Sequence, residues 1–400
     1  MTPVSRRRAG FAIASMLLLS CAWPAAAQEQ AEPDRLSVTP ALRLQYDSNM
    51  LRLNEQRLSG RRDDTRITPG ISFQLRRQIG LHSLAISGDA GYDFHRRFKF
   101  LDRARVNGVA NANILLGGRC TAAPRARLEI AQTELSELGV PVGNMQTTQD
   151  YQLTLACPRP SGFYPSVTGG LLRASNSADS RRRYDLRTET IRGALGYAKP
   201  SLGDIQLSAS YQRFARPGLL ETTGIDDGTD VYQYGVVFNR AVAPRVKSRI
   251  GLSYLSVKPH RKEVEDFSGL GWEGEIAVSP TPRFTTTVGV ERSARSQSNF
   301  GASYIVQTDY RLSTKMQLSA RSALTLAASR SGRRFRGENN MLLPIPRLKD
   351  RTTTFSAGYQ FTLRDALRIG LNASHEKRSA DNDFYAYSAT TVTLSAGTRF

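Results

Sequence analysis

From about residue 35 to its carboxyl end the chain repeats one unit of roughly ten residues, in which every second side chain is apolar, followed by a break. In Phe355, Ala357, Tyr359, Phe361 and Leu363 one face is apolar or small, while Ser356, Gln360 and Thr362 fill the other. Ile205, Leu207, Ala209 and Tyr211 do the same against Gln206, Ser208, Ser210 and Gln212, as do Tyr232, Tyr234, Val236 and Phe238. A period of two belongs to strands and not to helices. The expected fold class is therefore all-β, and the question becomes which medium the apolar faces meet.

The breaks bear on that question. Strands are expected at 35–46, 65–77, 83–95, 103–118, 124–136, 148–157, 163–174, 184–198, 203–214, 229–241, 246–258, 266–279, 283–294, 301–314, 322–331, 350–363, 366–376 and 386–400. Between them long and short gaps alternate. Cys120 to Pro124, Ala243 to Arg245, Ser279 to Pro282 and Arg364-Asp365 are short; Asp47 to Asp64, Pro217 to Asp230 and Ser331 to Lys349 are long. Tight turns at one rim and long polar loops at the other describe a transmembrane antiparallel up-and-down β-barrel of about eighteen strands, whereas a soluble sandwich has no reason to lengthen every second loop. A mean hydropathy of −0.38 is compatible with this, because only alternate strand residues face lipid.

The amino terminus agrees with export. Arg6, Arg7 and Arg8, an apolar run from Gly10 to Leu19 and the small residues Ala25, Ala26 and Ala27 are built like a secretory signal peptide of residues 1–27, which leaves residues 28–400 as one outer-membrane barrel domain. Leu18-Leu19-Ser20-Cys21 offers the alternative of a lipoprotein signal. Only Gln28 to Asp34 precede the first strand, too few for the plug of an energised transporter.

The formal charge is +20, and cleavage would remove only three arginines. A field of that sign favours outer-membrane lipid, lipopolysaccharide or an acidic polysaccharide. Nucleic acid is set aside, since a secreted chain rarely meets it and no recognition-helix or zinc-finger pattern is present. Tyr46, Tyr92, Phe94, Tyr211, Tyr232, Tyr254 and Tyr304 lie near the long-loop ends of strands, where an aromatic girdle is expected. The last strand, through Val392, Leu394, Ala396 and Thr398 to Phe400, resembles the assembly signal read by the barrel-insertion machinery.

After the first strand, Tyr46-Asp47-Ser48-Asn49 followed by Arg52 resembles the YDSN-x-x-R stretch of a family of outer-membrane barrel porins encoded in exopolysaccharide biosynthesis operons. The resemblance implies a conduit or accessory for polysaccharide export, working with export partners. Read without it, Asp47, Ser48 and Asn49 are turn formers that end a strand, and glycan contact and turn remain open alternatives.

With the apolar set facing lipid, Arg43, Arg76, Arg127, Arg192, Arg249, Arg311 and Arg368 fall on the lumen side, with Glu129, Glu273, Glu275 and Asp309. These arginines either attract an anionic glycan or pair with the acids and fill the barrel. Cys120 and Cys157 remain after cleavage and could form a disulfide in an oxidising periplasm, or stay as two thiols.

Alternatives of other classes are a general diffusion porin for small solutes and a barrel hydrolase. The latter needs a histidine in reach of a nucleophile and an orienting group; His82, His95, His260 and His375 are the chain's four, and Ser374 beside His375 points to the opposite face. No enzyme, cofactor or metal centre is expected. Asp226-Asp227-Gly228-Thr229-Asp230 reads as a solvated turn before it reads as a calcium loop. The apolar stretch within 339–348 is expected either to fold into the mouth or to pack on neighbouring loops.

Overall fold

The computed structural model describes residues 35–54, 60–133, 135, 143–296, 302–337, 347–363 and 367–398. The signal peptide expected at 1–27, most of the apolar loop within 339–348 and Phe400 lie outside these residues. Nine strands form the first half: β1 Arg35–Asp47, β2 Asp64–Ile79, β3 His82–His95, β4 Arg103–Leu115, β5 Thr121–Gln132, β6 Met145–Ala156, β7 Gly162–Asn176, β8 Leu186–Lys199 and β9 Gly203–Ala215. The second half is β10 Thr229–Ala243, β11 Val246–Pro259, β12 Phe267–Thr281, β13 Phe284–Arg295, β14 Tyr304–Ser319, β15 Ser322–Arg336, β16 Lys349–Leu363, β17 Leu367–Ala380 and β18 Tyr387–Thr398. Two short helices, α1 Asp179–Arg182 and α2 Pro217–Thr223, sit in long loops.

Each strand pairs antiparallel with its sequence neighbours, and β1 pairs with both β2 and β18, so the 18-stranded sheet closes on itself. The links at one rim are as short as Gly80-Leu81 and Pro244-Arg245. Gly80 takes φ 59°, the left-handed conformation that a two-residue hairpin demands. Arg35 and Thr398 lie at this rim, and the long loops gather at the other.

Exposure alternates along the strands. Leu42, Leu44 and Tyr46 on β1, Leu207 on β9, Tyr234 and Val236 on β10, Leu252 and Tyr254 on β11 and Tyr310 and Leu312 on β14 are all exposed. Such a continuous apolar exterior on a closed wall has its backbone fully paired, which is what hydrocarbon requires of a spanning sheet. Among the described residues no helix is long and apolar enough to cross a membrane, so the crossing is made by strands. The protein is an outer-membrane β-barrel with its short-turn rim in the periplasm.

Tyr92 with Phe94 and Tyr211 with Tyr232 form tilted ring pairs on the outer surface, with centroids 4.6 and 5.3 Å apart. Tyr304 departs from the girdle expected of it. It is fully buried among Phe214, Val231, Val257, Val264 and Val306, and its hydroxyl donates to the Glu265 carbonyl at 2.6 Å. The loop between β11 and β12 covers this end of β14, a long-range contact that strand phase cannot reveal. Cys120 and Cys157, flanking the β5–β6 hairpin at the periplasmic rim, are joined by a disulfide.

Arginine placed on the lipid face costs about 2–4 kcal/mol at the bilayer midplane and little in the lumen. Leu207→Arg should therefore destabilise the barrel by about that amount in urea unfolding from lipid vesicles, while Gln233→Arg, on the lumen face of β10, should be near neutral.

Candidate functional site

The lumen wall is built by the strand residues that alternate with the lipid-facing set. Arg43 shares its face with Gln45 and buried Asp47, between outward Leu42 and Leu44. Arg76, Arg127, Arg192, Arg249, Arg311 and Arg368 hold the equivalent phase on β2, β5, β8, β11, β14 and β17. Their partners are mostly carboxylates or polar groups of the same wall. Arg127 meets Glu129 at 2.6 Å, Arg249 meets Glu273 at 3.0 Å, Arg311 meets Glu291 at 3.5 Å, and Arg192 donates to the Ser208 hydroxyl at 2.9 Å. Arg43 lines a small recess with Asp89 and Arg105, the latter two 3.1 Å apart. Arg368 lies exposed near the periplasmic rim.

On β12, β13 and β14 three acids stand side by side in register, Glu273 opposite Glu291 and Glu291 opposite Asp309. Like charges directly across a ladder repel. Arg249, Arg311 and Arg295 offset this: Arg295 bonds Glu291 and comes within 3.7 Å of Asp309. The wall here is a row of negative charge braced by positive charge, and Arg295 and Glu291 joined it without having been singled out from sequence.

The Tyr46 to Arg52 segment has a defined structural task. Asp47 and Asn49 are each only 2% exposed. Arg52, at φ 55°, clamps both Asp47 carboxylate oxygens at 2.7 and 2.9 Å. Asn49 donates to the carbonyls of Leu53 and Ser388, the Thr391 hydroxyl donates to Asp47 at 3.1 Å, and Ser48 exchanges hydrogen bonds with Thr390. Ser388, Thr390 and Thr391 belong to β18. The motif thus fastens β1 to the last strand at the extracellular end of the seam, while Tyr46 faces lipid.

Two further ionic centres tie the extracellular loops together. Asp227 and Arg216, both almost fully buried, pair at 3.2 Å; Asp227 also accepts from Ser303 and faces Arg261, and Arg216 donates to the Ala302 carbonyl at 2.6 Å. The loop after β9 therefore reaches across to the loop before β14. Asp350 gathers Arg333 at 2.6 Å, Arg347 at 3.3 Å and Arg378 at 3.9 Å, with Arg347 stacked between Phe335 and Tyr385. Beneath these, Leu172, Phe214, Val231 and Val257 form an apolar cluster. Among the described residues the buried apolar interior side chains gather towards the extracellular loops, while wall residues such as Arg127 and Glu129 stay partly exposed.

The Asp226 to Asp230 turn is engaged with side chains: His260 bridges Asp226 at 2.8 Å and Asp230 at 3.2 Å. Among the described residues no group of three or more His, Cys, Asp or Glu could hold a metal ion. Buried His95 meets Asp102 at 3.2 Å, and its other ring nitrogen has no hydrogen-bond partner; His375, on the outer face, meets Thr390 and Ser388. Neither places a hydroxyl and an orienting carboxylate on one imidazole, the arrangement nucleophilic hydrolysis requires.

Neither a protein-family model nor a curated protein matches the chain. Among solved structures it is similar to a BenF-like porin from Pseudomonas fluorescens Pf-5, at 10% identity over 90% of this chain and 97% of that one, with a TM-score of 0.48. It is also similar to the outer membrane protein opdK from Pseudomonas aeruginosa, at 9% identity, 92% and 99% coverage and a TM-score of 0.47. The siderophore receptor PirA from Pseudomonas aeruginosa is similar at 10% identity over 92% of this chain and 80% of that one, with a TM-score of 0.46. At such identities and scores nothing about solute or partner passes to this chain.

Removing one partner of a buried ion pair typically costs about 3–5 kcal/mol. Asp47→Ala should lower the unfolding temperature, read as loss of heat-modifiable migration, by an amount that Arg52→Ala shares and that does not add in the double variant. Hydrogen bonds to Asp226 first, then Asp230, hold the His260 imidazolium above its ordinary pKa of about 6.5. Its contribution is then complete below that value and lost as pH rises through the raised one. The melting-temperature gap between wild type and His260→Gln should be present at pH ~5.5 and close towards pH ~9.

Proposed function

We propose that the barrel is a passive diffusion channel for small polar solutes, screened by a charged lumen wall and narrowed by its inward-packed extracellular loops. The observation that carries this reading is the braced acid row of β12–β14. Ion pairs fixed along one side of a polar lumen set a local field through which a solute must pass, and rings or rows of fixed charge are how pores discriminate by charge. An eighteen-strand wall is wide enough to leave an aqueous channel. Arg127, Arg249 and Arg311 are matched by carboxylates, so the field along this wall sorts solutes more than it binds one.

Export of an acidic polysaccharide, the role implied by the YDSN-x-x-R resemblance, draws less support from the geometry. Asp47 and Asn49 are buried and Arg52 is turned onto Asp47, so the polar groups of the motif are engaged in the seam. The basic excess that favoured an anionic polymer is also diluted inside, where Arg127, Arg249 and Arg311 already have carboxylate partners.

In planar bilayers the purified protein should give discrete, ohmic conductance steps. The double variant Arg249→Ala, Arg311→Ala should shift the reversal potential in a KCl gradient towards cation selectivity by unmasking Glu273 and Glu291. Absence of steps together with absence of solute uptake in vesicle swelling would reject the channel; unchanged selectivity would reject the role given to the wall.

A further inference from the structure

The strongest feature not absorbed by the lumen is a cluster of basic side chains on the outward face of three neighbouring strands. Arg330 and Arg334 of β15, Lys349 and Arg351 of β16 and Lys377 of β17 are all exposed, and share strand phase with lipid-facing Leu326, Phe355 and Leu371. Arg330 stands opposite Tyr310 of β14, an exposed tyrosine of the outer surface, and the other side chains lie level with it or farther towards the extracellular loops. Their place is the layer just beyond the hydrocarbon.

The register makes the cluster unfavourable on its own. Arg334 is directly opposite Lys349, Arg330 and Lys377 flank Thr353 in one row, and Arg351 is opposite Gly332, between the Arg330 and Arg334 rows. Like charges across a ladder cost stability. Among the described residues none of the five has an ion-pair partner. Two carboxylates of the same strand ends face inward: Asp350 is held by Arg333 and Arg347, and Glu376 accepts from the Tyr387 hydroxyl. Asp381 is turned to the backbone amides of Leu348 and Lys349.

The other side of the barrel shows the contrast. Arg173 and Arg187 are also directly opposed on the outer face of β7 and β8. There, however, Arg187 bonds Glu189 at 2.5 Å, and Arg213 stands between Glu189 and Asp230 in register. That patch is balanced by its own acids, whereas the β15–β17 patch sets five cations against Asp381 alone.

We propose that the outward face of β15–β17 is a binding site for the phosphate groups of the outer-leaflet glycolipid, the phosphorylated lipid A and core of lipopolysaccharide. Phosphate is the anion present at this depth on the extracellular side. Arginine forks at 334 and 351 offer bidentate donors, and Lys349 and Lys377 add point charges. A phosphate between Arg334 and Lys349 converts their repulsion into shared attraction, while Phe355 and Leu371 below accept the acyl chains.

The test uses the whole barrel in zwitterionic detergent, with purified lipopolysaccharide, the same material enzymatically dephosphorylated, and phosphatidylglycerol as probes. Lipopolysaccharide should raise the wild-type melting temperature by several degrees, and the other two should give a small fraction of that rise. The variant Arg330→Gln, Arg334→Gln, Arg351→Gln, Lys377→Gln should lose the rise, and Arg173→Gln should keep it. An equal rise in the quadruple variant, or with dephosphorylated material, overturns the site. An equal rise with phosphatidylglycerol overturns the assignment to the glycolipid. Should the variant fail to fold, the wild-type comparison between phosphorylated and dephosphorylated material decides alone.

Discussion

In hydrocarbon an unpaired backbone amide has nothing to bond to, so a sheet that crosses a membrane must return to its own first strand. Here the return is the β1–β18 ladder, from Ala41 opposite Gly397 to Asp47 opposite Thr391. This seam joins the most distant parts of the chain, and it is the last contact local folding can make. The bond network of Asp47, Asn49 and Arg52 fastens it at the extracellular end, where strand pairing gives way to loops. Closure in turn divides every strand into a face that must be apolar and one free to be polar, and the lumen wall follows from that division.

The charge of the chain is distributed by the same rule. Inside, arginine and carboxylate are interleaved within hydrogen-bonding distance, because each buried or half-buried charge needs an opposite neighbour. Outside, near the extracellular rim, Arg330, Arg334, Lys349, Arg351 and Lys377 have a single carboxylate beside them, Asp381 just after β17, and it bonds backbone amides. Part of the positive charge is thus carried by the surface turned to the membrane, so a basic composition does not by itself point to an anionic cargo.

The strand layout was legible because it is written in short-range signals: a period of two, polar breaks, and alternate long and short links. Each expected strand is found, with ends displaced by a few residues, as where β6 begins at Met145 and not at 148. Lumen placement of Arg43 to Arg368 followed from phase alone. Partners did not, because pairing Arg249 with Glu273 or Glu291 with Arg311 requires the register between strands. The loop centres at Asp227 and Asp350 were beyond reach for the same reason: Arg216 and Ala302 are far apart in sequence and meet only once the barrel is closed. Tyr304 misled because an aromatic near a strand end looks alike whether lipid or a folded-back loop covers it. The YDSN-x-x-R residues read as a turn or as a glycan contact from sequence, and their burial is what favours the turn.

The claim on which all of this depends is that successive side chains of one strand meet different media. Single cysteines at Leu207 and Ser208 in β9, labelled in lipid vesicles, test it directly. Position 207 should be protected from a water-soluble maleimide and its fluorophore quenched by lipid-borne nitroxide, while position 208 should react with the maleimide and escape the quencher. Equal accessibility of the two positions to the aqueous reagent would contradict the barrel's placement in the membrane.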